Sequence, residues 1–101
     1  MIIYNVTVKL IPAIETSWLK WMKEEHIPDI IGTGCFNQGI IHRLLDPDDS
    51  EGPTYAIQYH TDDLESYERY IDEFASGFRQ KAIDKWGDRF IAFRTVMEVV
   101  N

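Results

Sequence analysis

"TYAIQYHTDDLESYERYIDEFASGFRQKAIDKW", residues 54 to 86, carries in one run both hydrophobic periods from which the fold is read. Residues 54 to 61 alternate, with Tyr55, Ile57 and Tyr59 on one side and Ala56, Gln58 and His60 on the other. That is the pattern of a half-buried strand. From Leu64 the period changes: Leu64, Tyr67, Ile71, Phe74, Phe78, Ala82 and Trp86 follow at intervals of three or four, which predicts an amphipathic helix packed along that stripe. Asp62 and Glu65 have capping-box spacing at its start. Gly77 within it costs about 1 kcal/mol against alanine, so a kink or break is expected near residues 76 to 77.

Upstream, Ile2, Tyr4, Val6, Val8 and Leu10 alternate with Ile3, Asn5, Thr7 and Lys9, a second half-buried strand that Pro12 ends. Trp18, Leu19, Trp21 and Met22 then recur at helical spacing, which predicts a first helix over residues 14 to 26. Ile27 precedes Pro28 and is pushed away from the helical region, so the helix should stop or kink there, with Asp29 capping a short turn. Residues 35 to 45 read as a strand with Gly39 as a bulge, "DPDDSEGP" as an exposed turn, and residues 89 to 100 as the closing strand. The order β-α-β-β-α-β predicts an α+β, ferredoxin-like domain over residues 1 to 101, with an antiparallel sheet of order 4-1-3-2 and both helices on one face. The other face would carry Ile3, Asn5, Thr7, Ala56, Gln58 and His60, too apolar for plain solvent exposure and too mixed for a core. A second copy stacked about 10 Å away would cover it, so a homodimer is expected, with a polar-dotted cavity between the sheets.

Composition narrows the possible partners. The 101 residues are 45% hydrophobic and 27% charged, enough to build one core, and 17 acidic against 10 basic residues give a net charge of −7. Nucleic acid would be repelled. No apolar run spans a bilayer and the N-terminus alternates where a signal peptide would be continuously apolar, so a cytoplasmic protein is expected, with no membrane partner. Cys35 is alone and reads as a small buried apolar residue.

Four stretches, "MIIYNVTV", "WLKWMKEEHIPDI", "TYAIQYHTDDLESYERY" and "FIAFRTVMEVV", resemble the small bacterial family known as domain of unknown function 4286. The element order, the Trp-bearing first helix ending in His26 and "GTGCF" before the second strand also look like the dimeric α/β-barrel superfamily. That superfamily includes cofactor-independent monooxygenases, haem-degrading monooxygenases, isomerases and small stress proteins. The resemblance implies the fold and the dimer and leaves the chemistry open. Haem-degrading members imply an Asn on strand one, which Asn5 matches, a Trp early in helix two, where this chain has Tyr67 or Tyr70, and a ligating His on that helix. No histidine occurs from residue 61 to 101.

Among candidate site residues, Asn5, Gln58 and His60 form the most coherent polar set, able to orient a small ligand or simply to bond one another at a wet interface. Arg94 could hold a carboxylate, or pair with Glu98 on its own strand; Arg43 is a weaker candidate for the same role. His26 reads first as the donor that satisfies the last carbonyls of helix one, and second as a general base. Trp18, Trp21 and Trp86 read as packing residues. His26, His42 and His60 lie on separate elements without ligand spacing, and no phosphate-cradling loop or nucleophile elbow occurs, so no metal and no cofactor are expected. The leading expectation is a homodimer binding a small organic ligand between its sheets. One alternative is a cofactor-independent monooxygenase or isomerase with His60 or His26 moving a proton. The other is a structural or partner-binding dimer without a pocket.

Overall fold

In the computed structural model, which describes residues 1–101, the two alternating stretches form β1 (Ile2–Leu10) and β3 (Thr54–Thr61). They pair antiparallel in register, Tyr4 opposite Tyr59 and Asn5 opposite Gln58. β2 (Gln38–Arg43) pairs with β3, and β4 (Phe90–Glu98) pairs with β1. The sheet order β2-β3-β1-β4 is the expected ferredoxin-like 4-1-3-2 read from the other edge.

β2 is shorter than residues 35 to 45 because Cys35 and Phe36 turn inward and are 1% and 4% exposed. Gly39 is not a bulge. It sits in regular register opposite Tyr59, and a Cβ there would stand 3.0 Å from the Tyr59 ring. The glycine makes room for an aromatic side chain.

The first helical segment runs past the expected stop. α1 (Glu15–Trp21) continues through one π-helical turn, Met22–His26, into α2 (Ile27–Ile31). Ile27 N–H donates to the Met22 carbonyl, five residues back. The wider turn accommodates Pro28, which lacks a donor and whose ring would crowd the carbonyl four residues back in an ordinary helix. Pro28 thus becomes a first-turn residue of α2 and Asp29 lies inside that helix. Termination comes at Gly32, whose N–H bonds the Pro28 carbonyl at 2.8 Å.

The second helical segment breaks earlier than Gly77 predicts. α3 (Leu64–Glu73) is capped by Asp63 rather than Asp62, because Asp63 is the extended residue whose carboxylate accepts the Ser66 N–H at 2.8 Å. The break falls at Phe74, with φ −125° and ψ −33°, and α4 (Ala75–Trp86) follows. Tyr70 and Ala75 are 3% and 2% exposed, yet residues five apart in an unbroken helix point about 140° away from each other. The break at Phe74 turns both inward.

Both helical segments cover one face of the sheet. The core beneath them joins Tyr4, Leu10, Ile57 and Tyr59 to Trp18, Met22, Tyr70 and Trp86. Cys35 lies in it as a small buried residue, and all three tryptophans are buried. The opposite face is bare. Its rows, read across the strands, are Gln38–His60–Ile3–Met97, Ile40–Gln58–Asn5–Thr95 and His42–Ala56–Thr7–Phe93.

Candidate functional site

A cavity of about 60 Å³ lies between the sheet and the helices. Alternation aims Tyr4, Val8 and Phe90 into it from below, while Trp18 from α1 and Phe78 from α4 close it from above. Most of its wall is apolar and aromatic. The charged groups among the lining residues are Arg79 of α4 and Arg94 of β4, and no lining residue is acidic.

Neither arginine has a carboxylate partner. The ion pairs of the chain are Lys9 with Glu51, Arg43 with Glu15 and Asp49, and Arg69 with Glu73. Arg79 Nη2 donates to the Tyr4 hydroxyl at 3.1 Å, and its buried Nε has no protein acceptor. Arg94 stands beside Val6 on the helix-facing side of the edge strand, with its side chain exposed at the rim, and the pair with Glu98 does not form. Burial, then the neighbouring Tyr4, push the Tyr70 hydroxyl well above the usual tyrosine range, against the opposing pull of Arg79 and Arg94. It remains a donor at neutral pH.

His26 completes the polar set. The helix does not end there, so it caps no final carbonyls; the π-helical turn carries it to the cavity wall. Its ring stacks on Trp21, centroids 4.4 Å apart, and meets the edge of Phe78. Burial lowers its pKa to about 4, Asp29 opposing and Lys81 and Arg94 reinforcing the shift. The imidazole is neutral at pH 7. Trp21 and His26 also border an outer groove of about 340 Å³ lined by Glu25, Asp29, Lys81 and Asp84, so His26 stands between an apolar-walled cavity and a charged surface cleft.

On the bare side of the sheet, Asn5 and Gln58 are cross-strand partners and His60 lies one row away. Asn5 Nδ2 donates to Thr7 Oγ1 at 2.9 Å. The Gln38 side-chain amide donates to His60 Nδ1, which places the ring proton on Nε2, a buried atom without a protein acceptor. His42 Nδ1 bonds the Ala56 carbonyl at 3.2 Å, and no three His, Cys, Asp or Glu side chains converge to hold a metal.

A family described as a domain of unknown function, DUF4286, matches residues 1–100. The chain belongs to the DUF4286 family. No curated protein matches it. Among solved structures, the DUF4286 chain is similar to an ethyl tert-butyl ether D (EthD) family protein of Bacillus halodurans, with TM-score 0.69, 14% identity, and 99% and 100% of the two chains covered. It is also similar to a dimeric ferredoxin-like protein from an uncultured marine organism, with TM-score 0.68, 16% identity and 99% and 95% coverage. A protein of Agrobacterium tumefaciens gives TM-score 0.65, 16% identity and 99% and 94% coverage. At such identities these likenesses show a shared fold and carry no activity with them.

The sheet of this DUF4286 protein therefore divides the candidates read from the sequence. His26 and Arg94 meet at the cavity on the helix side; Asn5, Gln58 and His60 lie together on the opposite side. Arg43 is bound up with Glu15 and Asp49, at 3.1 and 2.7 Å, and stands outside both groups. Arg79 and Tyr70 were not legible as site residues. Arg79 precedes Ala82 by three and Trp86 by seven, the spacing of the buried stripe, and a cation in that stripe is the signal that would have found it.

Proposed function

We propose that this DUF4286 protein is a homodimer that binds a small organic molecule in the cavity between each sheet and its own helices. The observation that carries this reading is an aromatic-walled cavity into which Arg79, Arg94 and a neutral His26 converge with no acidic residue among them. Apolar walls with a few convergent polar groups are what a small-molecule site requires. The location differs from the inter-sheet space expected from alternation alone, because the arginine and histidine that carry the polar chemistry face the helices.

The dimer rests on the bare face. Ile40 on one edge strand and Ile91, Phe93 and Met97 on the other are 41%, 58%, 65% and 37% exposed there, large apolar side chains of the kind that a partner covers. The similar marine protein is itself described as dimeric. In such a dimer Asn5, Gln58 and His60 lie at the interface, where Gln38 and Thr7 already satisfy part of the set.

An enzyme that moves protons draws less support. A general base works best with a pKa near the operating pH, and His26 at about 4 is a weak base at neutrality. His60 sits on the other side of the sheet from the cavity.

Native mass spectrometry of gently purified protein tests the reading. A dimer carrying added mass is expected, and Ala82→Phe, which fills the cavity from α4, should remove the added mass and leave the dimer. A monomer overturns the assembly. An unladen dimer whose melting temperature no small molecule in a chemically varied panel raises overturns the binding role.

A further inference from the structure

We infer that the ligand is a short aliphatic carboxylate whose head is held by Arg79 and Arg94. This rests on the small-molecule reading above and assigns it a chemical class. Charge decides the head group. In a chain of net charge −7, acidic partners for arginine are plentiful, yet the two guanidinium groups at this cavity take none of them. A buried charged donor left unsatisfied is costly. Arg79 Nε is such a donor, and its Nη2 is spent on a neutral phenol, Tyr4. A carboxylate satisfies a guanidinium fork with two parallel hydrogen bonds, which a neutral ligand cannot reproduce. His26, neutral and without a hydrogen bond inside the chain, offers a further donor or acceptor but no charge that competes for the anion.

Volume decides the tail. The cavity holds about 60 Å³, roughly the space of two waters and well below the ~150 Å³ that accepts a benzene ring. An aliphatic acid of roughly two or three carbons fits, its carboxylate toward Arg94 at the rim and its methyl end among Trp18, Ile57 and Phe90. An aromatic acid does not fit without displacing His26 or Phe78.

The test is isothermal titration, with tryptophan fluorescence as a second readout since Trp18 and Trp21 line the cavity. Acetate, propionate, butyrate and benzoate are the probes, and propionamide is the uncharged isostere. Acetate or propionate should bind at least tenfold more tightly than propionamide and than benzoate. Arg79→Gln and Arg94→Gln should each weaken binding at least tenfold, while Arg69→Gln, on the outer side of α3 with Glu73, should not. Circular dichroism shows whether each variant is folded, and Arg79→Lys, which keeps the charge but loses the fork, should recover part of the affinity if Arg79→Gln is unstable. Equal binding of propionate and propionamide overturns the carboxylate and leaves the pocket standing. Tighter binding of butyrate or benzoate than of propionate overturns the size assignment. No binding of any probe, in protein that retains a different molecule in the mass spectrum, overturns the class; no binding in protein that retains nothing overturns the pocket as well. An Arg94→Gln variant that binds normally but dimerises less tightly reassigns Arg94 to the partner interface and overturns its role here.

Discussion

Burial between Trp21 and Phe78 holds the His26 imidazole at a pKa of about 4, while in the unfolded chain it returns to 6.5. Between those values the unfolded state binds a proton that the folded state refuses, so stability rises with pH across this window. His26 therefore costs nothing above about pH 6.5, and destabilises the fold progressively as pH falls toward 4. The full effect is about 3 kcal/mol. Urea denaturation at intervals from pH 7.5 to 4.5 should show this loss, and His26→Phe, which keeps the aromatic contacts without the titration, should flatten it. An unchanged slope in the variant would place the titration elsewhere. Asp48 and Asp63, whose carboxyls are held below the usual range by hydrogen bonds from Ser50 and Ser66, add their own loss only at lower pH, below their ordinary value of 3.8. At this scale the sequence revealed that His26 was special without revealing why. Its position before Pro28 suggested a helix end, whereas the π-helical turn makes it a wall residue.

The two central strands were legible because a period of two survives any tertiary arrangement that covers one face of a sheet. β1 and β3 match their expected limits at both ends. The helix breaks were not legible, because they answer to packing rather than to local preference. Pro28 is a breaker that a wider turn absorbs, and Gly77 is a weak point at which nothing breaks. Phe74, a good stripe residue, is where the chain bends so that Tyr70 and Ala75 are both buried. Gly77 has thus kept the entropic cost of glycine in a helix without a structural return: a Cβ there meets no atom within 4 Å. Gly77→Ala should stabilise the protein by about 0.5 to 1 kcal/mol, read as a higher urea midpoint at unchanged slope. A destabilised variant would mean that α4 needs glycine at 77 for a contact with another chain.

Over the whole molecule, the sheet separates two surfaces of different chemistry. The helix side encloses the cavity with its two unpaired arginines; the bare side exposes aliphatic and aromatic side chains around a small polar centre. The fold order, antiparallel pairing and placement of Asn5, Gln58 and His60 on one face all follow from alternation and connection rules. The cavity does not, because it depends on how helices broken at unpredicted points settle on the sheet. No helix is long and apolar enough to cross a membrane. Phe93 is the most exposed large apolar side chain of the bare face, at 65%, and lies in register with Thr7, away from the cavity. In a dimer packed through the bare faces, Phe93→Glu places two buried carboxylates near a two-fold axis or against apolar neighbours, and either arrangement is costly. Sedimentation equilibrium should therefore show the variant as a monomer, or at least a tenfold weaker dimer, at concentrations where the parent protein is dimeric. Its thermal unfolding should remain cooperative, and its short-chain carboxylate binding should persist, since the cavity lies on the other side of the sheet. A variant that stays dimeric with parental affinity would move the interface to another surface, and a variant that dimerises normally but no longer binds ligand would show that the two faces of the sheet are coupled.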